Sequence, residues 1–394
     1  MTCFGFMAAL CGTARGLPVR RMPTPRDVPR NALGLVGMAL RHKVAADLLA
    51  GLGAAGLSLD PAAVAVLRRN VAEDRLVRGL LLADWPALVG VIEGAGVRVL
   101  TLKGPASSIQ LYGNPAARGY TDLDLLVDGD PDPLVPTLAA IGYLPIDPSP
   151  RPRAGAGDRF VQAGRHVSFQ RRDRPFHVEV HGKAWLADEL VYPIDTAALF
   201  ERAERLEYTG RLFLAPSLVD HAVFMVDHGC RHAWCLLHWV LDMAVLLSRH
   251  DLAPLLAERI TELGMERRLA LAVDVARWLY PSAIHPALRE MTDQSARGTS
   301  AALRFAKGML LPGGRTHSSR INILRQALVY DPSFARNAKQ RRKLRLRLFR
   351  IQRVDADRLG LPPALFFVNV VLRPVFILYR MVARALGYDP VRRR

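Results

Sequence analysis

Thr121-Asp-Leu-Asp-Leu-Leu-Val127 is the stretch of the chain that decides the fold. It is short, rich in leucine and followed by Asp128-Gly-Asp-Pro131, a pattern typical of a buried strand that ends in a turn. Alternate residues of a strand point to the same face, so Asp122 and Asp124 present two carboxylates side by side. Burying two unpaired charges is costly, and a divalent cation removes that cost. The stretch therefore predicts a metal site on one face of a sheet.

A strand, a turn and a helix precede this stretch. The β-branched alternation that ends at Thr101 predicts a strand, and Pro105 suits the first position of a helix. Lys103 and Gly104 form the turn between them. Lysine and a helix N-terminus both attract phosphate, and glycine lets the backbone approach closely. We expect Lys103 and Gly104 to bind nucleotide phosphates; the alternative for Lys103 is a solvated strand end.

Arg118 is the second expected phosphate ligand, because it lies four residues before Asp122 and can reach the same anion. The alternative is an ion pair between Arg118 and either Asp122 or Asp128. A DxD pair alone is common. Lys-Gly, then R-x-x-x-D-x-D, then a glutamate on a strand is a more specific pattern.

A β-hairpin is predicted further along the chain. The segments His166 to Arg171 and Phe176 to His181 have strand character, and Arg172-Asp-Arg-Pro175 separates them as a turn. Glu179 lies in the middle of the second strand among apolar neighbours. It is the expected third carboxylate of the site.

Two alternatives apply within this hairpin. Glu179 could instead form a cross-strand pair with Arg171 or Arg172. His181 is expected to contact the bound ligand, and its alternative is a hydrogen-bonded histidine of the strand.

The expected metal is Mg²⁺, held by Asp122, Asp124 and Glu179, because carboxylates completed by water and phosphate oxygens suit this ion. With two such ions, one would hold the phosphates of a nucleoside triphosphate (NTP), with ATP the expected one, and the other would activate an acceptor hydroxyl. Glu179 would assist that activation.

These motifs together resemble the uncharacterised nucleotidyltransferase family of the DNA polymerase β superfamily. The matching stretches are Leu100-Thr-Leu-Lys-Gly-Pro-Ala106, Leu111-Tyr-Gly-Asn-Pro115, Arg118-Gly-Tyr-Thr-Asp-Leu-Asp-Leu-Leu-Val127 and Val178-Glu-Val-His181, with weaker matches at Asn70 and at Trp239-Val-Leu-Asp242. The resemblance covers about residues 60–250. It implies an α/β core in which two aspartates and the glutamate bind metal, and a context of polysaccharide or peptide natural-product assembly. Better-known relatives carry Gly-Ser where this chain has Lys103-Gly104, so their nucleotide contacts do not transfer directly.

The expected fold class is α+β, with a small mixed β-sheet nucleotidyltransferase core flanked by N-terminal and C-terminal helical layers. The expected organisation, in residue numbers, is a poorly ordered N-terminus at 1–30, a helical layer at 31–94, the core at 95–215, a helical domain at 216–297 and a basic, partly apolar helical segment at 298–394.

The second helical domain contains four histidines, His221, His228, His232 and His238. His228 and His232 are spaced as an i, i+4 pair that could bind zinc, but no carboxylate at metal-site spacing accompanies them, so a structural role is favoured. Asp242 lies in an otherwise apolar helix and is expected to orient a histidine or to face the active cleft.

Charge is concentrated at the C-terminal end. Residues 299–394 hold 21 Lys and Arg and 4 acids, a net charge of 21 − 4 = +17, while the rest of the chain holds 54 − 21 = 33 basic and 36 − 4 = 32 acidic residues, a net +1. This segregation predicts an anionic membrane surface or a protein partner for residues 336–358 and 391–394. A nucleic-acid partner is not expected, because the catalytic part is nearly neutral.

The four cysteines form no CxxC pair, which indicates a reducing cytoplasm, with peripheral attachment to the inner membrane face as an option. No transmembrane helix is expected, because Arg373 and Pro374 interrupt the most apolar stretch, Pro362 to Tyr379, and neither half reaches roughly 18 residues. A different class of function is a non-catalytic adaptor that retains the fold and binds a partner or membrane through its basic C-terminal segment.

Overall fold

The computed structural model describes residues 1–146, 161–162, 166–182, 195–295, 299–311, 325–335, 337–346, 351–352 and 375. The chain forms two compact units. The first comprises Met1–Asp147 with Arg165–Gly314, and the second comprises Pro148–Gly164 with Arg315–Arg394. The first unit contains every residue of the predicted site.

The fold is α+β, as predicted from the sequence, with a five-stranded mixed sheet that helices precede and follow along the chain. The helices are α1 Cys3–Ala14, α2 Ala32–Arg41, α3 Ala45–Ala54, α4 Pro61–Gly94, α5 Pro105–Tyr112, α6 Val135–Ala140, α7 Thr196–Glu201, α8 Leu218–Arg231, α9 Leu237–Leu247, α10 Ala253–Leu263, α11 Glu266–Leu279, α12 Pro286–Ser295, α13 Ser300–Leu310 and α14 Ala338–Leu346. The strands are β1 Val99–Thr101, β2 Asp122–Val127, β3 Leu144–Pro145, β4 Val161–Gln162, β5 His166–Gln170, β6 His177–His181, β7 Glu204–Tyr208, β8 Arg211–Ala215 and β9 Ile351–Gln352.

Residues 1–30 were predicted to be poorly ordered, but Cys3–Ala14 form helix α1 in the structure. The Thr2 side chain accepts a hydrogen bond from the Gly5 amide and caps the helix. Phe6 and Leu10 are fully buried, and the Tyr280 hydroxyl donates to the carbonyl oxygen of Ala8 at 2.9 Å. The apolar face of α1 is therefore covered by α3 and by α11, whose distance along the chain hides this packing from a local reading of the sequence.

Close packing of α1 against α3 predicts opposite effects of the same substitution at two glycines of α3. A Cβ at Gly51 would lie 2.2 Å from the backbone oxygen of Leu10, which cannot move aside alone, whereas a Cβ at Gly53 would meet nothing within 4 Å. Gly51→Ala should lower the free energy of unfolding by about 3 kcal/mol through overpacking. Gly53→Ala should raise it by up to about 1 kcal/mol through helix propensity. Urea unfolding of both variants checks this, and equal effects would contradict the close α1–α3 contact.

The central sheet has five strands in the order β1-β2-β6-β5-β3. Strand β2 pairs antiparallel with β1 and parallel with β6, and β6 pairs antiparallel with β5. The predicted hairpin of β5 and β6 is therefore confirmed. In the parallel pair Asp124 lies opposite Glu179, so both carboxylates share one face.

The two faces of the sheet have different surroundings. On one face Leu123, Leu125 and Val178 are fully buried in a core that α4 and α6 cover. On the other face a smaller apolar cluster joins β1 and β2 to α7 and α8, and its buried members are Leu100, Leu102, Leu126, Leu199, Phe200 and Phe224. The acidic side chains of β2 lie on this second face, beside the smaller cluster.

Two residues of α4 make polar contacts that fix the strands of the site. The fully buried indole of Trp85 donates to the Thr101 hydroxyl at 3.0 Å and so holds the end of β1. Asp84 accepts from Arg174 at 2.6 Å and from the Tyr143 hydroxyl at 2.6 Å. Because Arg174 lies in the turn between β5 and β6, this ion pair ties the hairpin to α4.

In the second unit, β4 pairs parallel with β9, and α14 follows a π-helical turn at Gln326–Tyr330 and a 3₁₀ turn at Asp331–Phe334. Within the described ranges no helix is long and apolar enough to cross a membrane. The apolar stretch 362–379, apart from Val375, lies outside the described residues, as do residues 336, 347–350, 353–358 and 391–394 of the predicted partner-binding segment.

Candidate functional site

Three side chains on β2 and β6 form a compact group of metal-ligand atoms. Asp124, Glu179 and His181 each offer one atom, and these atoms lie within 4.8 Å of one another. His181 Nε2 is 3.1 Å from Asp124 Oδ1 and 3.4 Å from Glu179 Oε2. The parallel register and the two-residue repeat of the strand place all three on one face. The two predicted carboxylates therefore meet across neighbouring strands.

Asp122, the third predicted metal ligand, lies outside this group at the exposed start of β2. Desolvation by surrounding protein atoms and then the charge of Asp124 raise its pKa, while the ammonium groups of Lys103 and Lys43 act in the opposite direction. Asp122 is thus coupled electrostatically to the group without being part of it.

The charges of the three grouped side chains are complementary. Burial alone would raise the pKa of Asp124, but Lys103 and the hydrogen bond from His181 lower it well below its usual range. The hydrogen bond from His181 likewise lowers the pKa of Glu179. Burial opposes protonation of His181, yet its hydrogen bonds to both carboxylates raise its pKa. An imidazole thus lies where two carboxylates concentrate negative charge.

This donor set fits a divalent cation. Two carboxylates supply the oxygen ligands that Mg²⁺ prefers, and an imidazole is more often a ligand of transition metals. The side chain of Asp124 is 3% exposed and that of Glu179 is 35% exposed, so the group opens to solvent on the Glu179 side. The alternative pairing of Glu179 with Arg171 is not formed, because Arg171 contacts Asp173 at 2.6 Å instead.

The turn between β1 and α5 brings a cation to the buried carboxylate. Lys103 Nζ lies 3.5 Å from Asp124 Oδ2 and 5.0 Å from the ring centroid of Phe224. Gly104 has φ 63° and ψ −117°, a conformation that strains other residues, and a Cβ there would lie 3.3 Å from the Asp122 carbonyl oxygen. Glycine therefore allows the turn to lie against β2, and the strand-turn-helix prediction is confirmed.

Arg118 is paired with neither of the aspartates considered from sequence. Its guanidinium lies 2.9 Å from Asp242 Oδ2, and both side chains are at least nine-tenths buried. Asp128 pairs instead with Arg98 at 2.6 Å. Asp242 also accepts from the Tyr112 hydroxyl at 2.5 Å. The role of Asp242 is therefore to hold an arginine and a tyrosine near the site.

A second buried ion pair continues this network toward the N-terminus. Arg15, which follows α1, lies 2.5 Å from Asp47 of α3. The guanidinium carbon of Arg15 lies 4.3 Å from the ring centroid of Tyr112. Arg15, Asp47, Tyr112, Arg118 and Asp242 together form what we call the buried charge network.

Lys43 is a cation close enough to act on Asp122, and sequence reasoning did not single it out. It lies in the turn between α2 and α3 with φ 55°, and its charge acts on Asp122 and on His238 of α9. Its side chain forms no hydrogen bond or ion pair with any residue in the described part of the chain. The signal in the sequence is weak, since one lysine in a turn is ordinary.

The helical histidines do not form a zinc site in the part of the chain that the structure describes, where Asp124, Glu179 and His181 are the one group with three suitable ligands. His228 and His232 lie instead in an aromatic cluster, with ring centroids 4.6 Å apart. His221 is buried, and its Nε2 lies 2.8 Å from the hydroxyl of Ser107 in α5.

His221 predicts a loss of stability in acid. Burial, followed by the charges of Arg118 and Lys103, lowers its pKa to about 3, while an unfolded histidine titrates near 6.5. Between these values the unfolded state binds a proton that the folded state does not, so stability falls as pH decreases, by up to about 1.4 kcal/mol per pH unit. Urea unfolding from pH 7.5 to 4 should show a shallower pH dependence for His221→Asn than for the wild type.

The exposed His250 offers a control for this measurement. His250→Asn should leave the pH dependence of unfolding unchanged. Equal slopes for the wild type and His221→Asn would contradict the role of buried His221.

Comparison with known proteins gives one match. The model of a family described as uncharacterised nucleotidyltransferase matches residues 29–281. This range contains the five-stranded sheet, the ligand group, Lys103 and Asp242, and it covers more than half of the chain. No curated protein and no solved structure matches the chain.

Proposed function

The chain belongs to the uncharacterised nucleotidyltransferase family, and we propose that it transfers a nucleotidyl group from an NTP, with ATP the expected donor, to a hydroxyl or phosphate acceptor with the help of Mg²⁺. The observation that carries this proposal is the convergence of Asp124, Glu179 and His181 within 4.8 Å, beside the lysine of a strand-to-helix turn. Metal ligands and a phosphate ligand are thus adjacent.

We assign the metal to Asp122, Asp124 and Glu179, with His181 as a further ligand or as a hydrogen-bond donor to the carboxylates. A divalent cation bound there would neutralise phosphate charge and favour ionisation of the acceptor. Asp124 is the buried anchor of this set, whereas Asp122 is exposed and free to approach a ligand.

The chain itself supplies binding and proton transfer. Lys103 and the backbone at Gly104 hold the triphosphate, and Lys43 adds a second ammonium beside Asp122. Arg118, oriented by Asp242, contributes positive charge from the buried side of the site. Glu179, the most exposed of the three grouped ligands, accepts the proton of the acceptor hydroxyl. The acceptor oxygen bonds to the α-phosphorus as the bond to the β-phosphate breaks, and pyrophosphate leaves.

A labelling experiment tests this reaction. The full chain is incubated with its own cell extract, Mg²⁺ and an NTP labelled either at the α-phosphate or at the γ-phosphate. Label from the α-phosphate in an acceptor supports nucleotidyl transfer. Label from the γ-phosphate alone would show phosphoryl transfer, and no transfer from any NTP together with no Mg²⁺-dependent NTP binding would refute the proposal.

The basic segment supports a second, separate role. Helix α14 contains Lys339, Arg341, Arg342, Lys343 and Arg345 in nine residues and has no acidic residue. We propose that it binds an anionic membrane surface or an acidic protein, and that an adaptor function rests on this helix if the site proves inactive. Binding to anionic vesicles should weaken as salt rises, because screening reduces such attraction.

A further inference from the structure

Five aromatic side chains of α8, α9 and the segment between them form a partly buried cluster close to the proposed phosphate turn. We call it the α8–α9 aromatic cluster, and its members are Phe224, His228, His232, His238 and Trp239. The Trp239 ring is at its centre, with ring centroids 4.9 Å from His228, 5.4 Å from His232 and 5.2 Å from His238. Three imidazoles surround this one indole, whereas the core tryptophan Trp85 stacks on the apolar rings of Phe213 and Tyr208.

One end of the cluster adjoins Lys103. The Lys103 ammonium lies 5.0 Å from the Phe224 ring centroid, and the Phe224 ring stacks on His228 at 6.0 Å with an interplanar angle of 15°. The charge of Lys103 also reaches His228. The chain of contacts from the phosphate-binding lysine to Trp239 therefore passes through two aromatic rings.

The other end of the cluster lies within the electrostatic influence of two further cations. His238 feels the charges of Arg118 and Lys43, and Lys43 also acts on Asp122. Lys103 and Lys43 thus act both on the aspartates and on histidines of the cluster.

Two imidazoles of the cluster, His228 and His238, have hydrogen-bonding capacity that the described protein atoms do not use. The Nδ1 atoms of His228 and His238 are buried and have no hydrogen-bond partner among the described residues. Burial and neighbouring cations hold the pKa of each far below its usual value, so both rings are neutral near pH 7. A neutral imidazole offers one donor and one acceptor, which suits the mixed edge of a nucleobase or a sugar hydroxyl.

We propose, on the basis of the nucleotidyl transfer proposed above, that the α8–α9 aromatic cluster binds the nucleoside half of the NTP, with the base stacked on Trp239 and its polar edge at the imidazoles of His228 and His238. An aromatic side chain can stack on any nucleobase, and polar atoms at the edge of the pocket fix the orientation of the bound base. The triphosphate then extends toward Lys103 and Lys43. The acceptor then binds on the β5 side of the site, where the Glu179 side chain is 35% exposed.

Titration calorimetry with two ligands separates the contribution of the nucleoside to binding affinity from the contribution of the phosphates. The full chain, with Mg²⁺, is titrated with a non-hydrolysable α,β-methylene ATP and separately with inorganic tripolyphosphate. Trp239→Leu should weaken binding of the ATP analogue by about tenfold, the scale of one base-stacking contact, and leave tripolyphosphate binding unchanged. Trp239→Phe keeps an aromatic face and should retain most of the affinity.

Trp278 provides a matched control on α11. It is also a half-buried helical tryptophan, and its ring centroid lies 4.9 Å from Lys307 Nζ, but it is not among the residues of the cluster. Trp278→Leu should change the affinity for neither ligand. In the wild type the analogue should quench tryptophan fluorescence and tripolyphosphate should not, a readout that requires no substitution.

The outcomes distinguish this proposal from the reaction on which it rests. If Trp239→Leu lowers the affinity for both ligands equally, or lowers neither affinity, the nucleoside subsite is overturned. It is also overturned if the wild type binds both ligands equally well and the ATP analogue does not quench tryptophan fluorescence. In those cases the metal and phosphate assignments stand. A wild type that binds neither ligand in the presence of Mg²⁺ refutes the nucleotidyltransferase proposal and the subsite together.

Discussion

Replacing Asp122 and Asp124 together with Asn is expected to lower metal-dependent NTP turnover by about a thousandfold or more. Carboxylates that hold a metal contribute several kcal/mol to transition-state stabilisation, and each 1.4 kcal/mol corresponds to about a factor of ten in rate. Both replacements keep the size of the side chain, and Asp122 is exposed. The sheet should therefore remain folded. Pyrophosphate release measures the turnover, and the unfolding transition verifies the fold.

Asp128→Asn is the matched control for this double variant. Asp128 follows β2 directly, its side chain is 40% exposed, and it pairs with Arg98 rather than with the ligand group. Its replacement should leave turnover within about twofold of the wild type, because exposed ion pairs contribute little. Turnover retained in the double variant would contradict the assignment of both aspartates.

The second large effect is expected at Asp242. Asp242→Ala removes the partner of Arg118 and the acceptor of the Tyr112 hydroxyl, and the Arg118 side chain is only 10% exposed. Breaking a buried ion pair by removing one partner leaves an uncompensated charge, which costs about 3–5 kcal/mol. Urea unfolding should show a lower midpoint with an unchanged slope.

Two further variants make this test specific. Asp251→Ala removes a carboxylate that is 66% exposed and pairs with Arg249, so it should change the free energy of unfolding by less than about 1 kcal/mol. Adding Arg118→Leu to Asp242→Ala removes the stranded charge and should restore part of the loss. A loss of under about 1 kcal/mol in Asp242→Ala alone would show that the pair is not buried as the structure has it.

The elements that carry the site could be predicted because their signals are local. Alternation along β2 placed both aspartates on one face, and turn residues bounded the hairpin that carries Glu179. Pro105 after Lys103-Gly104 marked the start of α5. Each of these signals spans a few residues, and the structure has the strands and the helix as the patterns predict.

The partners of the charged side chains could not be predicted in the same way. Arg118 contacts Asp242, and Arg15 contacts Asp47, across long stretches of chain that only tertiary packing brings together. A solvated arginine and a buried one look alike in a sequence. For the same reason the apolar run of α1 indicated no structure on its own, because its cover comes from α3 and α11.

His181 shows a subtler limit. A strand pattern shows that residues 179 and 181 share a face, but their distance from Asp124 depends on the register of β6 against β2. That register places His181 Nε2 between two carboxylates, so this residue belongs with the metal-ligand group as well as with the ligand contacts expected from sequence.

The N-terminal helix has a practical consequence for any shortened version of the protein. The family match begins at residue 29, yet Arg15 neutralises Asp47, and Phe6 and Leu10 fill the space beside α3. A polypeptide started at Met22 would expose the apolar surface that α1 covers and would lose Arg15, which pairs with Asp47 and lies over the Tyr112 ring. Tyr112 in turn donates a hydrogen bond to Asp242, the partner of Arg118. The first twenty residues thus support the packing and the buried ion pairs next to the candidate site, and a chain shortened to residue 29, where the family match begins, should have a lower free energy of unfolding.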